Sequence, residues 1–213
     1  MKSFLSIFFV FLITSAISYA QTATTPESCF TIGTGKFDKG ILLSYLCKET
    51  DIVIPSTISG IAVTSIGDNA FRERNLTSVI IPNTVTGIRT GAFFLNHISS
   101  VTIPSSVTYI SEFAFNYSGL NSVIISNGVT YIGNGAFANN QLTSVIIPDS
   151  VTKIESWTFG NNQLSSVTLS NNLTSIPAYA FYKNQLIAVD IPKNITWIDS
   201  YAFDENIHLI KKP

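Results

Sequence analysis

LNSVIISNGVTYIGNGAFANN, residues 120–140, is followed one residue later by LTSVIIPDSVTKIESWTFGNN, residues 142–162. The two stretches align without a gap at a step of 22 residues, and the step continues in both directions. Ile66, Ile88, Ile110, Ile132, Ile154, Ile176 and Ile198 form one column. Five residues after each stands Phe71, Phe93, Phe115, Phe137, Phe159, Phe181 and Phe203. The residue before each Phe is alanine except at Thr158. A Leu or Ile column runs from Leu76 to Leu186, a Val column from Val79 to Val189, an Ile or Leu column from Ile81 to Ile191, and a last apolar column from Val85 to Ile195. Apolar columns held in phase over this length mark a repeat architecture.

Each unit reads Leu-x-x-Val-x-Ile-Pro, then x-x-Val-Thr-x-Ile, then x-x-x-Ala-Phe-x-x-Asn. The Val-x-Ile part alternates, the period of a strand with one buried face. Pro82, Pro104, Pro148 and Pro192 end that strand, because proline cannot donate the next ladder bond. Ser126 and Ser170 take the same place elsewhere. Val-Thr-x-Ile is expected to be a second short extended segment, and Ala-Phe a tight helical or 3-10 turn. One unit cannot bury its apolar side, but stacked units can. The spacing therefore predicts about seven coils in a rod roughly 35 Å long, with like strands paired in parallel about 4.8 Å apart. The crossovers are expected to be right-handed. Two polar columns, Thr86 to Thr196 and Asn96, Asn140, Asn162, Asn184 and Asn206, are read as ladders that satisfy backbone groups at the coil edges.

The repeat strongly resembles the BspA-like, or Treponema pallidum-type, leucine-rich-repeat family. The family pattern, Ile-Pro-x-x-Val-Thr-x-Ile-Gly-x-x-Ala-Phe, is matched by Ile147 to Phe159 and most fully by Ile125 to Phe137. The match covers about residues 52–210. The resemblance implies a mainly β, right-handed leucine-rich-repeat solenoid with a parallel sheet and short helical or 3-10 turns. It also implies a secreted or surface protein, since some members of the family are adhesins for matrix proteins and other cells.

The chain divides into three parts. Residues 1–20 read as a secretory signal peptide: Lys2 is followed by an apolar run from Phe4 to Ile17 and by Ser18-Tyr19-Ala20, with cleavage expected before Gln21. No later apolar run is long enough to span a membrane, a task that needs roughly 20 residues. Residues 21–51 read as an N-terminal β-hairpin cap. Phe30-Thr31-Ile32 and Ile41-Leu42-Leu43 flank a polar turn, and Cys29 and Cys47 are equidistant from Asp38. In an exported chain the two cysteines are expected to form a disulfide. Residues 52–213 are the solenoid. Its first coil carries a five-residue insertion, with Ser56 to Ala62 read as loop. Its last strand follows the spacing with one residue deleted, which puts Ile210 in the Val column and Lys212 in the Ile column. That frayed edge admits end-to-end self-association.

Composition removes several classes of function. Twelve Lys and Arg against 13 Asp and Glu leave a net charge of −1, so no basic field recruits nucleic acid. Charged residues make up 12% of the chain, against roughly 25% in typical proteins. Only two histidines occur. His97 shares a column with turn residues such as Gln141, and His208 lies at the frayed end. Neither belongs to a metal-ligand or triad pattern, so no enzyme, metal or cofactor is expected. Gly133-Asn134-Gly135-Ala136-Phe137-Ala138 fits a nucleotide-loop pattern by letter, but no crossover helix follows.

Partners are expected on two surfaces. The outward strand positions, Ser78 and Ile80, Ser100 and Thr102, Ser122 and Ile124, Ser144 and Ile146, Ser166 and Thr168, form an uncharged strip suited to protein contact. Aromatic residues form two further columns. Tyr109, Tyr131 and Trp197 lie beside the second strand, and Phe113, Trp157, Tyr179 and Tyr201 lie at the turn. Tyr and Trp on a rigid surface suit interaction hot spots, and their rings could stack on sugars. The expected function is a secreted or cell-surface module binding a protein or glycan; the alternative is a self-assembling structural solenoid.

Overall fold

The computed structural model describes residues 24–205 and 207–211. The expected signal peptide lies outside the described residues, as do Asn206 and Lys212. The fold is a solenoid of stacked coils. Each regular coil contributes a front strand, such as Ser100–Ile103 or Ser122–Ile125, and a two-residue rear strand, such as Tyr109–Ile110 or Tyr131–Ile132. Like strands pair in parallel at the 22-residue step: Val101 opposes Val123, and Ile110 opposes Ile132.

The front strands pair in twos. Asp51–Val53 pairs with Ser78–Ile80, Ser144–Ile146 with Ser166–Thr168, and Ala188–Ile191 with His208–Lys211. The longest continuous sheet lies at the rear, where the short strands from Ser65–Ile66 to Lys153–Ile154 join in one order. The threonine column accounts for this. The backbone amide of Thr108 and its Oγ1 both donate to the carbonyl of Thr86, at 2.8 and 3.0 Å. Thr130 does the same to Thr108, at 2.8 and 2.9 Å. Two donors on one carbonyl pin each rear rung to the one before it.

Inside, the phenylalanine column is one stack. Neighbouring rings from Phe71 to Phe203 lie 4.9–5.7 Å apart and within 11° of parallel. The Ala-Phe segment is two linked turns rather than a helix. Ala92 N bonds Arg89 O and Phe94 N bonds Gly91 O, but Phe93 N between them reaches across to Ala114 O of the next coil at 2.8 Å. The left-handed residue in this turn, Gly91 at φ +61°, diverts that amide out of a helical course.

The asparagine column closes the turns. Asn140 Nδ2 donates to the carbonyls of Phe115 and Phe137, at 2.8 and 3.0 Å. Its Oδ1 accepts from the amides of Ser118 and Leu120, at 3.1 and 3.0 Å. Asn96, Asn162 and Asn184 bond in the same way. Ser118, out of pattern, keeps the donor half with a bond from its Oγ to Phe93 O at 2.7 Å.

The N-terminal hairpin forms as expected. β1 (Phe30–Ile32) and β2 (Ile41–Tyr45) are antiparallel, and Cys29 and Cys47 are joined. β2 also pairs in parallel with Ser65–Ile66, so the hairpin is continuous with the rear sheet. Tyr45 and Phe30 extend the aromatic stack, each packing against Phe71.

Two sequence expectations are corrected. The segment from Ser56 to Ala62 is a tight hairpin, Thr57–Ile58 against Ile61–Ala62, not a loop. Ser59 and Gly60, at φ +50° and +75°, supply the paired left-handed residues that such a two-residue turn needs. At the other end Leu209, not Ile210, occupies the Val column, and Lys211 lies opposite Ile191. The amide of His208 bonds Ile187 O at 2.8 Å and fixes this register. A one-residue shift turns every side chain over, so Ile210 faces outward.

Candidate functional site

On the front face the alternation of the strand sends valine inward and its neighbours outward. Ser100, Ser122, Ser144 and Ser166 form one exposed row, and Ile80, Thr102, Ile124, Ile146 and Thr168 form the row beside it. The rows are in register across each pair: Ser122 against Ser100, Ile124 against Thr102, Ile146 against Thr168. Ile80, Ile124 and Ile146 stand 50%, 62% and 68% exposed. A shallow depression of about 480 Å³ lies between Ser78, Ile80, Thr102 and Pro104. Ser78 is half-buried, and its Oγ donates to the Asp51 carboxylate at 2.9 Å. Thr77 Oγ1 donates to the same oxygen at 2.7 Å. These two bonds, Thr77 first, hold the Asp51 carboxyl below its usual range and place one anion at the N-terminal limit of the strip.

The rear aromatic column is interrupted. Tyr109 and Tyr131 are adjacent and half-buried. Tyr109 lies across Gly87, where a Cβ would meet its ring at 2.1 Å. Lys153 follows Tyr131, with its Nζ 5.8 Å from that ring and 2.7 Å from Glu155. Burial, together with the Glu155 charge, pushes the Tyr131 hydroxyl up. Ser175 separates this pair from the exposed Trp197. The structure does not bring Trp197 together with Tyr109 and Tyr131.

At the turn, Trp157, Tyr179 and Tyr201 are brought together, but by stacking on one another. Trp157 and Tyr179 lie 4.6 Å apart at 19°, and Tyr179 and Tyr201 5.6 Å apart at 21°. Both faces of Tyr179 are therefore covered, and Tyr201, 60% exposed, stands at the end of the stack. Phe113 shares the column but stands between Gly91 and Gly135. Beside it opens a notch of about 560 Å³ whose walls include Arg72, Phe94 and Tyr117. Reading the sequence by columns of like residues missed these three. The signal was present as two glycines flanking one aromatic residue in a column whose later members, Trp157, Tyr179 and Tyr201, are all aromatic.

Cys29 and Cys47, with Glu49, are the one His, Cys, Asp or Glu grouping close enough to suggest a metal among the described residues. The sulfurs are bonded to each other at 2.09 Å, and the Glu49 carboxylate accepts from Tyr45 at 3.0 Å, so the donor set does not fit an ion. Gly133 and Gly135 serve the turn. A Cβ at Gly133 would meet the backbone of Glu112 at 2.7 Å, and Gly135 has φ +56°. No helix among the described residues is long and apolar enough to cross a membrane.

A family model described as BspA type leucine rich repeat region matches in six copies, over residues 42–164 and 131–212. A comparison with curated proteins gives no match. Among solved structures, a leucine-rich repeat protein from Bacteroides ovatus is 26% identical with a TM-score of 0.74; the match covers 86% of this chain and 52% of that one. One from Eubacterium ventriosum is 28% identical with a TM-score of 0.60, covering 82% and 48%. The Treponema pallidum leucine rich repeat protein shares the fold at 21% identity and a TM-score of 0.62, covering 89% and 86%. The chain thus spans about half the length of the first two. Neither the family model nor these structures indicate an enzyme family.

Proposed function

The chain belongs to the BspA-type leucine-rich-repeat family, and from that premise we propose that it works outside the cell as a module binding a protein partner through its front strand face. The observation that carries this reading is the exposed row of Ile80, Ile124 and Ile146, one on each of three neighbouring strand pairs of the front face, set between serines and threonines. Side chains at these positions contribute little to the core, yet they present apolar area at fixed spacing with few charges to desolvate. Such a surface suits the apolar centre of a protein interface. The Cys29–Cys47 disulfide supports an oxidising, extracytoplasmic setting. The expected signal peptide at 1–20 points the same way.

The test is binding of the purified protein to immobilised extracellular-matrix and cell-surface proteins, beside a variant with Ser78, Ser100, Ser122 and Ser144 changed to lysine. Lysines on the outward rows leave the buried valines untouched. A specific partner whose affinity falls at least about tenfold in the variant, or about 1.4 kcal/mol, supports the reading. A folded wild-type protein that binds nothing, or a partner indifferent to the four lysines, contradicts it.

A further inference from the structure

The notch at the turn edge has the chemistry of a second site, independent of the front face. Its construction begins with backbone conformation. One turn position is left-handed in every regular coil from Asn69 to Tyr179, with φ between +55° and +61°. Glycine and asparagine accept this conformation, and the column holds Asn69, Gly91 and Gly135. Phe113 adopts it at φ +55°, where a bulky side chain is strained. Trp157 and Tyr179 share the strain but bury ring faces against each other. Phe113 has glycine on either side. Its ring leans over Gly135, 3.0 Å from where a Cβ would stand, and borders the notch together with Gly91, where the Asn69 amide oxygen lies 2.5 Å from the position a Cβ would take. Tyr117 repeats the pattern. It holds φ +52° in a column that is left-handed from Glu73 through Leu95 to Lys183 and carries Asn139 and Asn161 in the next two coils, and it is 51% exposed. Left-handed aromatic residues left half-exposed cost stability that their packing offsets only in part, which directs attention to a ligand.

The surroundings select its class. Phe94 packs edge-to-face with Tyr117 at 6.3 Å, and the Arg72 guanidinium lies 4.9 Å from the Phe94 ring. Arg72 is paired at the surface with its neighbour, its Nε donating to the Glu73 carboxylate at 3.1 Å, so the local net charge is zero. No uncompensated charge therefore calls for a phosphate or carboxylate. Apart from Arg72, the polar lining consists of hydroxyl and amide groups: Thr90, Asn69, Asn139 and the buried Asn116, whose Nδ2 donates to Gly135 O and whose Oδ1 accepts from Asn139. Neutral hydroxyl and amide groups, with Asn69 and Thr90 at the rim, beside apolar rings match a sugar ring, which presents hydroxyls at its rim and C–H bonds on its face. The volume of about 560 Å³ lies within the roughly 300–1,000 Å³ of small-ligand sites. We propose that this notch binds a pyranose unit of a neutral saccharide, with Phe113 and Tyr117 as stacking surfaces and the amides fixing orientation.

The test is calorimetric titration of the purified protein with mannotetraose, cellotetraose, N-acetylchitotetraose and a sialylated oligosaccharide. Two variants are compared with it. Phe113→Gly installs the residue found at 91 and 135, and Gly91→Asn fills the notch with the residue found at 69, so both suit the left-handed turn. Both are expected to fold, with Phe113→Gly keeping or raising Tm. Binding of at least one neutral tetrasaccharide, weakened tenfold or more in both variants and unchanged by the front-face lysines, supports the proposal. Binding of none of the four, binding that survives both substitutions, or binding of the sialylated compound alone overturns it.

Discussion

Replacing Asn140 by alanine strips its bonds from the carbonyl of Phe115 and from the amides of Ser118 and Leu120, while the Phe137 carbonyl keeps its bond from Asn162. Leu120 and both phenylalanines are fully buried, so water cannot readily take the amide's place. Leaving a buried polar group unsatisfied costs about 1–3 kcal/mol. Asn140→Ala is therefore expected to lose about 2–4 kcal/mol in urea unfolding, more than Ser122→Ala on the exposed front row, and a loss below about 0.5 kcal/mol would show that the ladder is not structural. At this scale the periodic residues were legible. The Asn and Thr columns announced ladders, and both bond across coils. What stayed hidden was conformation. Nothing in a 22-residue period says that Phe113 and Trp157 take a left-handed backbone, because the residues sharing their column include the glycines that explain it and the aromatics that obscure it.

The N-terminal hairpin is the element whose chemistry is most open to test. Tyr45 is fully buried against Phe30 and Phe71, and its hydroxyl donates to the Glu49 carboxylate at 3.0 Å. Burial first, and the Glu49 bond and charge second, push its pKa from 10.0 to about 12. The unfolded chain releases this proton near pH 10 while the folded chain keeps it. Stability from this group is thus complete below pH 10 and declines as pH rises from 10 toward 12. Tyr45→Phe is expected to flatten that alkaline decline, measured as urea midpoint against pH; an unchanged slope would mean that Tyr45 is not the group responsible. The hairpin and its disulfide were readable from two short apolar runs and a symmetric cysteine pair. The hairpin at Thr57–Ala62 was not, since an insertion has no counterpart in the repeat against which to read it. The last strand misled for a related reason. A shortened coil carries no periodic signal to choose between Leu209 and Ile210, and a hydrogen bond from His208 decides it.

At the level of the whole molecule, the stacked phenylalanines and paired ladders make each coil depend on its two neighbours, and the front face and the notch are rigid only because several coils hold them in register. The periodic columns made this architecture legible. They did not make the surfaces equally so: the front rows follow from strand alternation, whereas the notch depends on where glycine interrupts aromatic residues in space. The central claim is that one spine supports the whole surface, and Phe137 sits at its middle, stacked 5.5 Å from both Phe115 and Phe159. Phe137→Ala removes a fully buried ring at a cost of about 3–5 kcal/mol. In a nearest-neighbour solenoid that loss should be local before it is global. The decisive measurement is amide hydrogen exchange, resolved along the chain, on the wild-type and Phe137→Ala proteins. The account predicts a wild-type protein protected as one block from Leu42 to Phe203, and a variant in which protection falls most across residues 115–159 while the disulfide-capped N-terminal coils keep theirs. A uniform loss of protection from end to end, or no loss around Phe137, would contradict it.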